Sequence, residues 1–532
     1  MNSSIGTSPV SSAALYQPLE NSYLRELGEG FCILWQPAQA PKPELVYFNP
    51  ALASEVGLQG LLSAGEGGLD RLALAQWCSG TALPGDIHPV AQAYAGHQFG
   101  NFSPRLGDGR AVLLGEAIDS TGLRHDIALK GSGRTPFSRG GDGKAGIGPM
   151  LREVLISESL QALGIPTTRA LAVVATGEPI FREEVLPGAV LTRVALSHLR
   201  VGTFQYFAAR GEQAQVRQLA NYAIRRHDPD LADLDEPQRY AAFLKAVVGR
   251  QARLIAQWMN IGFIHGVMNT DNMTISGQTI DYGPCAFLED YDPDRWFSSI
   301  DLYGRYAYKN QPSIAVWNLT RFAECLLPLL NEDTDLAVTI ATGILEGFQP
   351  QFEAALRAGR LAKLGLLGDD SQGTDALIHD WLALLQAQKV DFTLGWRLLA
   401  DHAEGEAAVA LHAGEASRGD ASRLERLFSD PAPLRAWMAR WQAICLAQDQ
   451  GAAQAVPGAR AAAMRAVNPR IIARNHWVED ALKAASEEGR MVPFERLLEA
   501  LRDPFSDAPG YDRFAQPAAR EVTACYRTFC GT

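Results

Sequence analysis

No apolar run in the 532-residue sequence approaches the ~20 residues that a membrane-spanning helix needs. No C-x-x-C pair occurs among the seven cysteines, Cys32, Cys78, Cys285, Cys325, Cys445, Cys525 and Cys530, so a zinc ribbon is not supported and the scattered, odd set reads as reduced thiols. Positive charge is scarce. Lys and Arg number 48 against 60 Asp and Glu, and the net charge of −12 argues against a nucleic-acid backbone or an anionic membrane as the main partner. No basic residue precedes Arg25, so there is no positive n-region of a secretory signal, and a Ser-rich start without arginine makes a poor transit peptide. That start reads as a disordered tail ahead of a cytoplasmic protein. No solenoid repeat is present. A hydrophobic content of 47% with 20% charged residues supports a sizeable core, in three or four domains or one large two-lobed enzyme.

The pattern changes character along the chain. Residues 21–65 hold short apolar pieces broken by proline (PAQAPKPELVYFNPAL) and read as a segment draped over a core. AVLLGEAID and DIALKG, separated by the polar STGLRH, predict an antiparallel hairpin from Ala111 to Lys130. Residues 131–148 carry seven glycines. PMLREVLISESLQALG then has helical spacing through Leu151, Val154 and Leu155, with a stop at Gly164 and Pro166. ALAVVATG and GAVLTRVAL read as strands. Beyond about residue 203 the periodicity is helical, and the Ala-rich region 404–464 keeps regular apolar spacing and reads as helix. The expected architecture is α+β, a two-lobed protein-kinase-like fold with N- and C-terminal extensions and a helix-rich C-lobe. The expected divisions are an N-terminal extension wrapping the core (1–85), an N-lobe with nucleotide-binding loops (86–202), a helical C-lobe with the catalytic and metal loop (203–465), and a C-terminal extension with the terminal cysteines (466–532).

The stretch HGVMNTDNMTISGQTIDYG, His265 to Gly283, is the most informative. Kinases carry H-R-D-x-x-x-x-N followed by D-F-G. Here Asn272 follows His265 at the same step, and Asp281-Tyr282-Gly283 stands where D-F-G would be. An Asn oxygen and an Asp carboxylate are hard ligands suited to Mg²⁺ on nucleotide phosphates. Val267 occupies the position of the kinase base and cannot accept a proton; Asp271 is the carboxylate inside the loop that could replace it. Upstream, Lys130 in IALKGSG shares a strand face with Ala128, as the phosphate-contacting lysine of V-A-I-K does. Glu153, on the following helix, is placed to brace that lysine. In LGDGRA, Gly107 and Gly109 let backbone N–H groups approach phosphate and Arg110 adds charge, although a G-x-G turn alone is more often just a turn. The loop 131–148, with Arg134, Arg139, Lys144 and a central Asp142-Gly143, is either an anion site ahead of a helix or a flexible linker. Arg193 and Arg200, flanking the expected hinge between lobes, are either a phosphate clamp or surface ion-pair residues.

With these stretches the chain resembles the selenoprotein O family of kinase-like protein adenylyltransferases over almost its whole length. The matching motifs include AYAGHQFGNFSPRLGDGRA, LKGSGRTPFSRGGDGKA, LTRVALSHLRVGTF, HGVMNTDNMTISGQTIDYGPCAFL and NPRIIARNHWVEDAL. The resemblance implies ATP bound in reverse, with its γ-phosphate buried and its α-phosphate toward the acceptor. It implies nucleotide contacts from Gly107, Gly109, Arg110, Lys130, Asp142, Gly143, Arg193, Arg200 and Asp281, metal ligation by Asn272 and Asp281, and Asp271 as proton acceptor, with Lys130 and Glu153 as the supporting catalytic pair. The expected partners are ATP, Mg²⁺ or Mn²⁺, and proteins offering Ser, Thr or Tyr hydroxyls; neither nucleic acid nor membrane is expected, and the chain is expected to be a monomer. Two departures concern redox control. Some members carry a Cys after the D-Y-G motif where this chain has Phe297, and the family's terminal cysteine corresponds to Cys530 by position but to Cys525 by the EVTAC match. Cys285 is expected to be a packed thiol.

The leading expectation is transfer of AMP from ATP to protein hydroxyls, with uridylyl transfer under Mn²⁺ as a variant. The alternatives are an atypical protein kinase using Asp271 as its base, and a non-catalytic nucleotide-binding scaffold, which the presence of Lys130, Glu153, Asn272 and Asp281 disfavours.

Overall fold

The hairpin at 111–130 sits at the middle of a sheet. In the computed structural model, which describes residues 18–62, 70–366, 373–411, 423–451 and 458–529, this sheet has eight strands in the order β1 (Cys32–Leu34), β3 (Val90–Gln92), β6 (Ala111–Ile118), β7 (Arg124–Lys130), β10 (Val185–Ala195), β9 (Arg169–Phe181) and β2 (Glu44–Phe48), with the short β8 (Ala145–Gly146) also on β10. The named pairings are antiparallel. The chain forms two compact units, and this sheet belongs to the first, which draws on residues up to Tyr94, Arg105–Met150 and Arg169–His198.

Alternation decides which sheet face is dry. Val112 and Leu114 on β6, Ile127 and Leu129 on β7, and Leu171 on β9 point into one core. Helices α2 (Pro50–Glu55) and α3 (Arg71–Cys78) cover it with Leu52, Ala53, Leu74 and Trp77. Helix α3 starts at Asp70, whose carboxylate accepts the Leu72 and Ala73 amides. The proline-broken N-terminal stretch thus supplies both edge strands, β1 and β2, together with part of the core.

The second unit comprises Ala95–Pro104, Leu151–Thr168 and the chain from Leu199 on. It is mostly helical, with a small hairpin of β4 (Gly96–Gln98) and β5 (Asn101–Ser103) and a two-stranded sheet of β11 (Phe263–Ile264) and β12 (Ala286–Phe287). Its longest helix, α7 (Gln238–Ile261), buries Phe243, Leu244, Val247, Val248, Ile255 and Trp258 along one face. The Ala-rich region is helical at Phe392–Leu411, Pro431–Gly451 and Ala459–Val467; residues 412–422 and 452–457 lie outside the described residues. The molecule is therefore α+β with a helix-rich C-terminal part. Among the described residues no helix is long and apolar enough to cross a membrane.

Candidate active site

Helix α7 stops at Gly262, and the chain enters β11, which pairs with β12. The motif from His265 to Gly283 is the excursion between these two strands. His265 is buried and pins it. Its Nε2 donates to the Ile280 carbonyl at 2.9 Å, while its Nδ1 faces the Val267 amide at 3.4 Å. Burial lowers its pKa, and these two hydrogen bonds define the tautomer with the proton on Nε2. The Val267 side chain is buried.

Residues Thr270–Asn272 form a single 3₁₀ turn. Asp271 is buried there, and its carboxyl is pushed up to about 6, chiefly by burial, with Arg200 pulling the other way and Asp281 adding to the rise. One carboxylate oxygen accepts from Gln98 Nε2 at 3.3 Å; the other, among the described residues, has no hydrogen-bond partner. The Arg200 guanidinium donates to the Asp271 backbone carbonyl at 3.2 Å and stands 3.9 Å from the Asp281 carboxylate. Asn272 donates its amide nitrogen to the Val267 carbonyl at 3.0 Å, which leaves the amide oxygen as the atom able to coordinate a cation. Asp281 has a left-handed backbone, φ 66°, unusual for a non-glycine residue and the kind of local strain found at functional sites. The second unit thus gathers Arg200, Asp271, Asn272 and Asp281.

Residues beyond the motif hold this turn. The His97 amide donates to Thr270 Oγ1 at 2.7 Å, and the Phe99 amide and the Tyr306 hydroxyl both donate to Asn269 Oδ1, at 3.0 and 2.7 Å. The β4–β5 hairpin is therefore part of the site's frame. Sequence reasoning did not assign Gln98 or its neighbours a role; the glycine-rich AYAGHQFGNF was the signal available. Arg152, on helix α4 (Ile147–Ala162), is the second omission. It is buried and donates to the carbonyls of Tyr282 (3.1 Å), Gly283 (2.8 Å) and Cys285 (2.5 Å), with Glu479 at 3.2 Å. Its neighbour Glu153 accepts the Tyr282 amide at 3.1 Å. The D-Y-G segment is thus gripped through its backbone by two successive residues of α4. Cys285 is fully buried with its thiol pushed up to about 11 by burial, so it is a packed thiol. Cys530 and the Cys525 side chain lie outside the described residues.

In the first unit, Lys130 ends β7 opposite Leu191, and Arg193 lies opposite Ala128, so the two cationic residues occupy one face of the sheet. Arg193 is buried and donates to His198 Nε2 at 3.2 Å; His198 in turn meets Asp126 at 3.2 Å. Gly107 and Gly143 are required by close approach. A Cβ on Gly107 would stand 2.2 Å from the Phe137 ring, and one on Gly143 would stand 2.0 Å from the Gly133 carbonyl oxygen; both have positive φ. The segment Thr135–Ser138 is tied to the 107–110 turn through Thr135 Oγ1 to the Asp108 carbonyl (2.6 Å) and Ser138 Oγ to the Gly109 carbonyl (2.5 Å). Arg110 lies half-buried at the end of that turn, and its carbonyl accepts the Gly131 amide at 2.7 Å. Asp142 takes both guanidinium nitrogens of Arg182 at 2.9 Å, and that ion pair holds its carboxyl below the usual range. Loop 131–148 is thus an ordered, internally bonded structure.

Among the described residues no three His, Cys, Asp or Glu side chains cluster tightly enough to cage a metal alone. The Asn272 oxygen and the Asp281 carboxylate fit instead a cation such as Mg²⁺, which takes one or two protein oxygens and completes its shell with phosphates and water. A buried carboxylate beside two hard oxygen donors is the equipment of an enzyme that transfers phosphoryl or nucleotidyl groups. Comparison with known proteins gives the same class. The family model "Protein adenylyltransferase SelO" matches residues 16–502. Proteins named protein nucleotidyltransferase YdiU are similar throughout: one from Chromobacterium violaceum is 56% identical over 500 residues (93% of this chain, 98% of the relative). Another from Cereibacter sphaeroides is 54% identical over 514 residues (96% and 99%), and one from Mycobacterium sp. strain KMS is 52% identical over 514 residues (97% and 99%). The chain belongs to the SelO family of protein nucleotidyltransferases.

Proposed function

We propose that this enzyme, built as a two-lobed kinase-like fold, transfers AMP from ATP to Ser, Thr or Tyr hydroxyls of proteins, with ATP bound in reverse so that its α-phosphorus faces the acceptor. The observation that carries the reading is Asp271. The motif's kinase-base position holds a buried valine, while the one carboxylate inside the 3₁₀ turn is buried and raised toward neutrality, as a general base needs. Asp271 takes the acceptor hydroxyl proton as that oxygen bonds to the α-phosphorus; the bond to the bridging oxygen breaks and pyrophosphate leaves with the electron pair. Gln98 orients the carboxylate. Asn272 and Asp281 hold Mg²⁺ or Mn²⁺, which neutralises phosphate charge when bound. Gly107, Gly109, Arg110, Lys130, Asp142, Gly143, Arg193 and Arg200 contact the nucleotide, and Glu153 supports the assembly through the Tyr282 amide.

The test is incubation with ATP labelled at the α- or the γ-phosphate. Retention of α-label on protein is expected. Retention of γ-label alone would overturn nucleotidyl transfer in favour of an atypical kinase using the same Asp271.

A further inference from the structure

The chain after the D-Y-G motif presents a turn whose apolar side chains face solvent. Leu302 is 76% and Tyr303 94% exposed, and Tyr303 is the only tyrosine among the described residues in the exposed class. The turn is not loose. The buried Asp301 carboxylate accepts the amides of Arg305 (2.9 Å) and Tyr306 (2.8 Å), and its carbonyl accepts Trp296 Nε1 at 2.9 Å. Two bonds join it to the catalytic frame: Tyr306 reaches Asn269, and Thr528 Oγ1 donates to the Pro284 carbonyl at 2.7 Å. Thr528 also makes a parallel bridge with Ser298, three residues before Asp301, and the next residue, Phe529, is 72% exposed.

Charge surrounds this surface unevenly. Arg295 stacks over Phe297 at 5.0 Å, Arg305 over Trp317 at 5.1 Å and Arg527 over Trp296 at 5.2 Å. Among the described residues none of the three forms an ion pair: Arg295 donates to the Thr523 carbonyl, Arg527 to the Trp296 carbonyl at 3.2 Å, and the neighbouring Asp294 is taken by Lys309. Large apolar groups held out on a hydrogen-bonded turn, with guanidiniums outside any ion pair on the residues flanking it, form a recognition surface rather than an ordinary exterior.

We propose that Leu302, Tyr303 and Phe529, with Arg295, Arg305 and Arg527, dock the protein acceptor through an extended segment in which apolar residues are flanked by Asp and Glu. The inference rests on the protein-nucleotidylation reading for the partner's role. The apolar residues of the segment cover the Leu302–Tyr303 turn and its carboxylates pair with the arginines.

Fluorescence anisotropy tests this without nucleotide. The probes are a short labelled peptide with a central Phe-Leu pair flanked by Asp and Glu, its twin with Lys replacing each acid, and a short oligo(dT). The acidic peptide is expected to bind at least about tenfold more tightly than its twin and to weaken as salt rises. The double variant Leu302→Ser/Tyr303→Ser and, separately, Arg527→Glu should each lose about tenfold in affinity for it, a change of ~1.4 kcal/mol. Calorimetric ATP affinity should be unchanged in both, showing that they are folded. Equal binding of the two peptides, tighter binding of oligo(dT), or wild-type affinity in the variants would overturn the proposal. The label experiment is independent. α-Label transfer without peptide discrimination sinks the docking surface alone, and peptide discrimination without α-label sinks the nucleotidylation reading alone.

Discussion

Replacing Arg152 by Met should be among the most damaging single changes outside the motif. The methionine keeps much of the stem's volume but removes the buried guanidinium that donates to the carbonyls of Tyr282, Gly283 and Cys285. A charge-assisted hydrogen bond contributes about 1.5–3 kcal/mol; the Nε–H is shared between Tyr282 and Gly283, so the two donors together give roughly 3–6 kcal/mol before offsets. Part of this is offset, because burying the guanidinium itself carries a desolvation penalty and the freed carbonyls can recruit water. Glu479, half exposed, returns to solvent at little cost. A net loss of about 2–4 kcal/mol follows. It can appear in two places: as a lower urea midpoint, or, if the segment slackens locally, as a higher Mg²⁺ requirement through Asp281, the ligand proposed above. At 1.4 kcal/mol per factor of ten, a local loss of that size means a reduction of about one and a half to three orders of magnitude in competent enzyme. Urea unfolding followed by tryptophan fluorescence, together with turnover as a function of Mg²⁺ concentration, captures both. Arg152→Lys should recover less than half, since an ammonium lacks the planar fork that reaches several carbonyls. An Arg152→Met protein with unchanged urea midpoint, unchanged Mg²⁺ half-saturation and unchanged turnover would refute the reasoning.

Two further outcomes follow from the same geometry. Because the Asp271 carboxyl sits at about 6, turnover should rise with pH through that value and level off above it, and Asp271→Asn should abolish it. The folded protein holds this proton more tightly than the unfolded chain, whose carboxyl titrates near about 3.9, so stability should fall as pH climbs from about 4 to about 6. Asp271→Asn should remove that fall, and parallel melting curves of the two proteins across the window would count against it. Arg200→Ala and Arg193→Ala should each weaken ATP binding far more than AMP binding in calorimetry, with lysine a poor substitute; equal losses for both nucleotides would mean that these arginines do not grip the terminal phosphate.

The elements with strong periodicity were legible in the sequence. The 111–130 hairpin, helix α4 and the long α7 follow directly from alternation or helical spacing. The local chemistry of 265–283 was also legible, because spacing alone brings Asp271, Asn272 and Asp281 into one excursion between paired strands. What could not be read were bonds whose partners lie far apart in the chain. Arg152 looks like any arginine on an amphipathic helix until its partners, some 130 positions away, are in view. Gln98 is a polar residue in a glycine-rich stretch with no period, and its meaning comes from Asp271, 173 positions on. The role of residues 32–34 and 44–48 as edge strands was hidden because the first is only three residues long and the second, ELVYF, is apolar at four successive positions between prolines and so shows no alternation in sequence.

The contacts made by the last part of the chain bear on when the enzyme can begin to work. Arg474 is fully buried, and it ion-pairs with Glu289 and, at 2.8 Å, with Asp391. Glu479 meets Arg152, and Thr528 bonds to Pro284. Glu289 lies two positions past β12, Arg152 grips the D-Y-G backbone and Pro284 follows it directly, so these late residues buttress the catalytic motif from outside it. A nascent chain halted after residue 470 would carry the whole catalytic motif yet hold Glu289 and Asp391 as neighbouring carboxylates with no guanidinium between them. Ribosomes complete roughly 5–20 residues per second, so the motif waits roughly ten to fifty seconds for its supports to emerge. A chain ending before Arg474 should therefore turn over far more slowly than the full chain, and comparing the two purified proteins checks it.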